Sequence, residues 1–409
     1  MKYVIIGNSA AGVSAVEGIR SADAAGEIVV ISEERFPVYG RPLISYYLLG
    51  ATDRSRMNFR PEDFYEKMGV RLMLGERAER IDVSAKEVVL KSGARVGYDK
   101  LLVATGSRPF DPPMEGLGEV KQKFHFMSMQ DALDLEKALS VRKRALIVGA
   151  GLIGLKCLEG ILGRVKSVTV VDMAGRILPS ILDDAGAAIV QRELEAKGVR
   201  FCLSDSVKKF EQGTAHLAGG GSIPFDLLVV AVGVRPNVEL VREAGGEVAR
   251  GIVTDDHLRT SLPDVFAAGD CTESDDVSSG TRKILALLPN ATQQGFAAGV
   301  NMAGGDSAFG SAIPLNAIGF FGSHVLTAGS YTGESYAEAE GERYRRFFVQ
   351  DGVLKGFILV NAPERAGIYT SLVRNRTPLA GLDTARLEAA PVLAAFPASV
   401  REAMLSGEV

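Results

Sequence analysis

Residues 1–34 read MKYVIIGNSAAGVSAVEGIRSADAAGEIVVISEE. Residues 3–6 are an apolar run, and a glycine-containing turn, Gly7-Asn8-Ser9-Ala10-Ala11-Gly12, follows at once. Helical spacing continues to about Arg20. A second apolar run, 28–31, ends beside Glu33. Strand, glycine turn, helix, strand and acid in that order form a dinucleotide-binding unit. Gly7 permits the turn. The small Ser9 and Gly12 let backbone approach a pyrophosphate and let the helix lie on the strand. The N–H groups of the helix start, around Ala10 and Ala11, face the anion. Glu33 stands 26 residues after Gly7, near the spacing at which a carboxylate accepts from ribose hydroxyls. Ser9 replaces the usual middle glycine, so a parallel-sheet unit without a ligand is the alternative for this stretch alone.

The chain has 409 residues, enough for two or three domains. Its net charge of −4 indicates no general attraction to nucleic acid or anionic membranes. Cys157, Cys202 and Cys271 form no CxxC and are too few for a typical iron–sulfur cluster. No metal site is expected. Sparse cysteine suits a reducing cytoplasm. The opening strand carries no leader pattern, and apolar runs such as 227–234 fall short of the ~18 residues of a membrane span. The expectation is a cytoplasmic protein.

A second unit begins at Arg144. Gly149-Ala150-Gly151-Leu152-Ile153-Gly154 is a complete GxGxxG after an apolar strand, and the next strand ends at Asp172, 23 residues after Gly149. A carboxylate there accepts from a free 2′-hydroxyl and repels a 2′-phosphate, which favours NADH over NADPH, although Arg176 nearby pulls the other way. Lys156 either approaches the nicotinamide ribose or is a surface helical lysine.

Between and after the two units lie loops of the same design. Residues 101–104 form a strand that stops at Thr105-Gly106-Ser107-Arg108-Pro109, and residues 226–237, DLLVVAVGVRPN, repeat it around Gly233. This is an internal repeat of architecture. After Glu33 comes a loop with Arg41 and Pro42, then a short helix over 45–49 that carries Tyr46. Arg41 could reach a phosphate or lie over a flat ring. Residues 265–271 read VFAAGDC, a short strand ending at Gly269-Asp270. Asn290, with Gln293 three residues on, reads as a helix N-cap.

In this order GNSAAG with Glu33, ATGSRP, GAGLIG with Asp172, AVGVRPN and VFAAGDC resemble the two-dinucleotide-domain flavoprotein reductases, the pyridine nucleotide–disulfide oxidoreductase superfamily. The matches span roughly residues 1–305. PVYGRPLISYYLLG and LPNATQQGFAAGVNMAG are similar to the branch of NADH:rubredoxin reductases, nitrite reductase flavoprotein parts and NADH-linked subunits of anaerobic oxidoreductase complexes. The resemblance implies an α/β fold with two Rossmann-like domains and a small C-terminal α+β domain. FAD would occupy residues 1–110 and 245–309, NAD(P)H residues 111–244, and residues 310–409 would form the interface domain. In that last part, 344–350 and 353–361 read as a hairpin about Asp351-Gly352, with a helix near 363–374. The alanine-rich tail, 383–405, would pack on its own domain, seal a homodimer or dock a partner.

The resemblance places FAD against Gly7, Ser9, Ala10, Ala11, Gly12, Glu33, Arg41, Pro42, Ala104, Thr105, Gly106, Arg108, Gly269, Asp270, Asn290, Ala291 and Gln294. It places NADH against Gly149, Gly151, Leu152, Ile153, Gly154, Asp172 and Gly233, and sets Arg41 and Tyr46 beside the reacting ring as the catalytic pair. The thiol chemistry of the superfamily is missing. No cysteine precedes Cys157, Pro42 falls where one branch carries its single redox cysteine, and no His-x-x-x-x-Glu pair is present. His125, His216, His257 and His324 read as structural or surface residues. Electrons would pass from NADH to FAD and then to a redox protein such as rubredoxin or ferredoxin, or to a partner metalloenzyme subunit. The alternatives are a peroxide-forming NADH oxidase and a flavin-bearing protein whose NADH response is regulatory.

Overall fold

In the computed structural model the described residues are 1–310, 312–384, 387 and 392–406. They divide into two compact units. The larger comprises Met1–Pro179, Leu194–Ser274 and Lys283–Gly310; the smaller comprises Ser180–Glu193, Asp275–Arg282 and Ser311–Val409. No helix among the described residues is long and apolar enough to cross a membrane.

Ten strands make the two main sheets of the larger unit: β1 (Lys2–Ile6), β2 (Glu27–Ser32), β3 (Val70–Leu74), β4 (Lys100–Val103), β5 (Lys123–Phe124), β6 (Arg144–Val148), β7 (Ser167–Asp172), β8 (Arg200–Leu203), β9 (Leu227–Val230) and β10 (Val265–Ala267). They form two five-stranded parallel sheets, ordered β10-β4-β1-β2-β3 and β8-β7-β6-β9-β5. Each puts its glycine-turn strand in the centre. After their first residues, Lys2 and Arg144, the central strands are apolar and buried because both faces are covered. Tyr3, Ile5, Ile28 and Val30 pack into one core, and Val4, Ile6, Val29 and Ile31 into the opposite one.

Five helices of the larger unit bear on the site, α1 (Ala10–Ala22), α2 (Leu43–Leu49), α3 (Met129–Ala138), α4 (Leu152–Ile161) and α5 (Leu288–Met302); α6 (Ala366–Asn375) belongs to the smaller unit. α1 and α5 lie backbone on backbone. A Cβ on Gly295 would stand 2.1 Å from the Ala11 carbonyl oxygen, one on Gly299 2.2 Å from that of Ala15, and one on Gly18 2.2 Å from that of Phe296. This seam fixes the N-terminal end of α5 beside that of α1. The capping of α5 differs from the sequence expectation. Leu287 is the N-cap, with Pro289 in the first turn and Asn290 already helical. Proline fits there because the first-turn N–H groups have no partner within the helix.

α2 packs on α4. A Cβ on Gly160 would meet Leu48 Cβ at 2.9 Å, and Arg164 donates to the Leu48 carbonyl at 2.9 Å. The repeated Gly-x-Arg-Pro segments pair with each other. Ser107–Pro109 and Val234–Pro236 form a two-stranded antiparallel ribbon with Arg108 opposite Arg235.

The smaller unit carries an antiparallel sheet of β11 (Leu315–Phe320), β12 (Ser323–Gly329), β13 (Glu334–Glu340), β14 (Arg343–Gln350) and β15 (Val353–Val360), ordered β11-β12-β15-β14-β13. β14 and β15 are the expected hairpin. Asp351 and Gly352 at its turn have φ of 53° and 70°, the left-handed pair that a two-residue turn requires. Asn361 lies just beyond β15. Tyr369 and Leu372 of α6 join Phe347 and Phe357 in the core of this unit, with Ala395 and Phe396 of the tail buried in it. Of the three packing partners expected for the tail, its own unit is the one seen at these two residues. Pro391 lies outside the described residues. Ser180–Glu193 and Asp275–Arg282 belong to this unit by packing, although the sequence reading assigns them to the two nucleotide domains.

Candidate cofactor sites

The two glycine turns are built alike. The Gly7 N–H donates to the Ile31 carbonyl and the Gly149 N–H to that of Val171, each at 2.8 Å. Both have φ above 110°, 121° and 115°, which only glycine adopts freely. A Cβ on Gly7 would collide with the Ala104 carbonyl at 2.1 Å, and one on Gly149 with that of Ala231 at 2.3 Å. Gly12 and Gly154 each lie 2.0 Å, by the same measure, from the carbonyl of their own turn glycine. These four glycines serve the backbone itself.

Gly151 is different. Its φ is −81°, open to any residue, and nothing lies within 4 Å of where a Cβ would be. Neither backbone nor packing calls for a glycine there, and the open space leaves room for a ligand to approach. Gly106 and Gly233 likewise face open space, with φ of 63° and 112°. The N-termini of α1, α4 and α5 have no side-chain cap, whereas α3 carries a full capping box from Ser128 and Asp131. Leu152 and Ile153 open α4, and Ala10 and Ala11 open α1. Uncapped N–H groups beside an open glycine suit a pyrophosphate at each turn. A dinucleotide therefore fits both sets of residues.

Around the first turn the other candidates converge. Arg41 Nε donates to Ser9 Oγ at 3.3 Å, Nη1 to the Met127 carbonyl at 3.1 Å, and Nη2 is ion-paired with Glu34. Tyr39 donates to Glu34 at 2.7 Å and lies under the guanidinium, 5.5 Å from ring centroid to Cζ. Burial works against the Arg41 charge, but Tyr39, Glu34 and Asp270 outweigh it and its pKa is raised. Burial pushes the Asp270 carboxyl up, opposed by Arg41 and a hydrogen bond with Ser107. Gly269 brings its α-carbon close to Ala11 and Ala291, its Cβ position being 3.2 and 3.7 Å from theirs. Gln294 accepts from the Gly269 N–H at 2.6 Å, so it braces the turn from inside α5. Asn290 is buried beside it. Pro42 precedes α2.

Four residues weighed as cofactor contacts have partners within the protein. Arg108 is held in an ion pair with Glu239 at 2.7 Å and bonds Asn237, outside the converging set. Glu33 ends β2 as expected, but its side chain is well exposed and pairs with Arg77 at 3.4 Å; the buried acid of this loop is Glu34. Asp172 accepts from Ala150 N–H at 2.6 Å and Ala174 N–H at 2.8 Å, so it also braces the second turn. Lys156 is neither a surface lysine nor isolated. It pairs with the buried Glu159 and lies 4.4 Å from the Tyr46 ring centroid, linking α4 to α2.

Sequence reasoning passes over Glu34 and Asn237. A second acid beside Glu33 and an asparagine closing the repeated Gly-x-Arg-Pro were the available signals. Among the described residues one group of ligand-type side chains clusters, Asp255, Asp256 and His257, at the surface.

The family model described as pyridine nucleotide-disulphide oxidoreductase matches residues 1–295. The NADH-dependent phenylglyoxylate dehydrogenase subunit epsilon of Aromatoleum evansii is 32% identical, over 93% of this chain and 93% of its own. The rubredoxin-NAD(+) reductase of Pseudomonas putida is 33% identical, over 72% of this chain and 78% of its own. Among solved structures, the covalent putidaredoxin reductase–putidaredoxin complex has a chain of the same fold. Its TM-score is 0.87 at 23% identity, over 99% of this chain and 98% of that one.

Proposed function

The chain belongs to the pyridine nucleotide-disulphide oxidoreductase family, and we propose that within it this protein passes electrons from NADH through FAD to a separate redox protein or partner subunit. It is an oxidoreductase that depends on FAD and NADH. We assign FAD to the sheet centred on β1, within residues 1–110 and 245–309, and NADH to the sheet centred on β6, within 111–244. Gly7 to Gly12, Arg41, Ala104 to Gly106, Gly269, Asp270 and the start of α5 would hold FAD. Gly149 to Gly154, Asp172 and Gly233 would hold NADH. FAD supplies the conversion of a two-electron donor to one-electron chemistry. Arg41, kept charged among Glu34, Tyr39 and Asp270, sets the local field, and the N-termini of α1 and α5 add positive potential to it.

One observation carries the choice of a separate acceptor: the loop after β2 carries no cysteine to relay electrons. The loop position that would need one is Pro42. Cys157 and Cys271 are fully buried, and burial pushes the Cys271 thiol up to about 11 and the Cys157 thiol further. The phenylglyoxylate dehydrogenase relative, similar along nearly its whole length, supports a partner subunit as the acceptor; the rubredoxin reductase relative supports a small carrier. Sparse cysteine supports a cytoplasmic location.

Anaerobic stopped-flow tests this. NADH bleaches the oxidised-flavin band, and reoxidation is fast with rubredoxin, ferredoxin or the partner complex and slow in air. Fast reoxidation by air alone would make the protein an oxidase. Bleaching without turnover on any carrier would favour a regulatory role.

A further inference from the structure

We propose that Asn237 is a positioning residue for the FAD loop Thr105-Gly106, coupling the segment returning from the NADH domain to the flavin site. The inference rests on the assignment of FAD to that loop.

Asn237 uses four polar groups on residues 105–108, three of them on Thr105 and Gly106. Its backbone N–H donates to the Gly106 carbonyl at 2.9 Å and its backbone carbonyl accepts from Thr105 Oγ1 at 2.7 Å. Its Nδ2 donates to the Thr105 carbonyl at 2.8 Å, and its Oδ1 accepts from Arg108 Nη1 at 2.7 Å. Both carbonyls of the Thr105-Gly106 pair are thus turned toward Asn237. In a trans peptide the N–H points opposite to the C=O, so the N–H groups of Gly106 and Ser107 face the other way. Asp270 and the buried Cys271 directly follow Gly269, and Ser107, Thr105 and Gly106 are among the groups that act on their ionisation. Gly106, at φ 63° with open space at its Cβ position, has little of its own to hold this orientation. Asn237 supplies the hold. It sits directly after Val234–Pro236, where the chain re-enters from residues 111–233, so movement of that part pulls on the loop through Asn237.

The repeat sharpens the argument. The residue in the equivalent place of the first segment is Phe110, whose N–H makes the equivalent backbone bond, to the Gly233 carbonyl at 3.1 Å, but whose side chain can make neither of the two amide bonds. The asparagine is therefore not a requirement of the Gly-x-Arg-Pro turn.

Apoprotein made by FAD removal is titrated with FAD, and the midpoint potential of the reconstituted flavin is measured without NADH. Asn237→Ala should weaken FAD binding about tenfold and move the potential, the loss of two side-chain hydrogen bonds being of that order. Asn237→Asp, which sets a carboxylate oxygen against the Thr105 carbonyl, should weaken it further. Thr105→Val removes one bond without changing shape and should act in the same direction to a smaller extent; it serves as the reading if Asn237→Ala does not fold. Unchanged FAD affinity and potential in a folded Asn237→Ala or Thr105→Val protein would overturn the proposal. Absence of FAD binding by the unaltered chain would instead overturn the functional reading on which it stands.

Discussion

The guanidinium of Arg235 lies 4.1 Å from the centroid of the Phe110 ring. Phe110 follows Pro109, and Arg108 in turn bonds Asn237, which follows Pro236. Each arginine of the repeated segments grips the residue after the other's proline. At this exposed site a cation–π contact contributes ~0.5–1 kcal/mol. Arg235→Ala should lower stability by about that amount in urea unfolding followed by circular dichroism. A loss above about 2 kcal/mol would mean that Arg235 has a further role.

Glycines at the two kinds of position should respond differently. Gly295→Ala drives a methyl into the Ala11 backbone, and relief requires α5 to move off α1, at a cost of about 3 kcal/mol or more. Thermal unfolding should shift down and FAD should be lost on purification. Gly151→Ala meets open space, so its melting temperature should stay within about 2 °C while the NADH KM rises. A stable Gly295→Ala protein would contradict the close approach of these helices.

Asp172→Ala should raise the KM for NADH by about 10- to 100-fold, the scale of hydrogen bonds to a charged group, with FAD content unchanged. Part of that loss comes from the turn, because Ala150 and Ala174 lose their acceptor. Asp172→Asn keeps one acceptor oxygen and should lie between. Steady-state kinetics with NADH and NADPH read both, and unchanged NADH kinetics would misplace the ribose site.

Alkylation should leave the reaction intact. With Cys157 and Cys271 buried and their thiols raised, iodoacetamide at pH 7.5 should leave NADH-driven flavin bleaching within about twofold of the untreated rate. Conversion of all three cysteines to alanine or serine should also leave reoxidation by a carrier protein in place. Loss of turnover with bleaching intact would reveal a thiol relay.

His257 bonds Asp256 at 2.6 Å and Asp306 at 2.7 Å, and these bonds, that with Asp256 first, raise its pKa. A raised folded-state value stabilises the fold most below the unfolded pKa near 6.5, and the effect is lost as pH rises through the folded value. The imidazole resonances should titrate above pH 6.5. Asp306→Asn should bring that titration down, and a midpoint unmoved by the change would discount the pair.

Both nucleotide units were legible because their signals are local. The strand, the positive-φ glycine and the helix start lie within a dozen residues, and the backbone permits little else at Gly7 or Gly149. The hairpin at Asp351-Gly352 was legible for the same reason. Partners distant in sequence were not. The resemblance sets Arg108 against FAD, while its partners Glu239 and Asn237 come from 129 or more residues away. Gln294 reads as a cofactor contact, yet its Oε1 is bound to the Gly269 N–H. Glu33 has the right spacing, while Glu34 makes the buried ion pair, because adjacent acids cannot be ranked without knowing which way each side chain turns. Asn290 reads as an N-cap from composition, but proline's tolerance of the first helical turn shifts the start to Leu288.

The seam between α1 and α5 has a consequence for how the protein is made. α1 leaves the ribosome with its glycine and alanine face bare, and the first position of α5, Leu288, comes 266 positions after its last, Ala22. At roughly 5–20 residues per second, that face waits about 13–53 s for its cover. The sheet centred on β1 thus gains its helix seam late in synthesis, after every strand of the sheet centred on β6 has emerged, and truncation before α5 would leave a nascent chain with α1 uncovered.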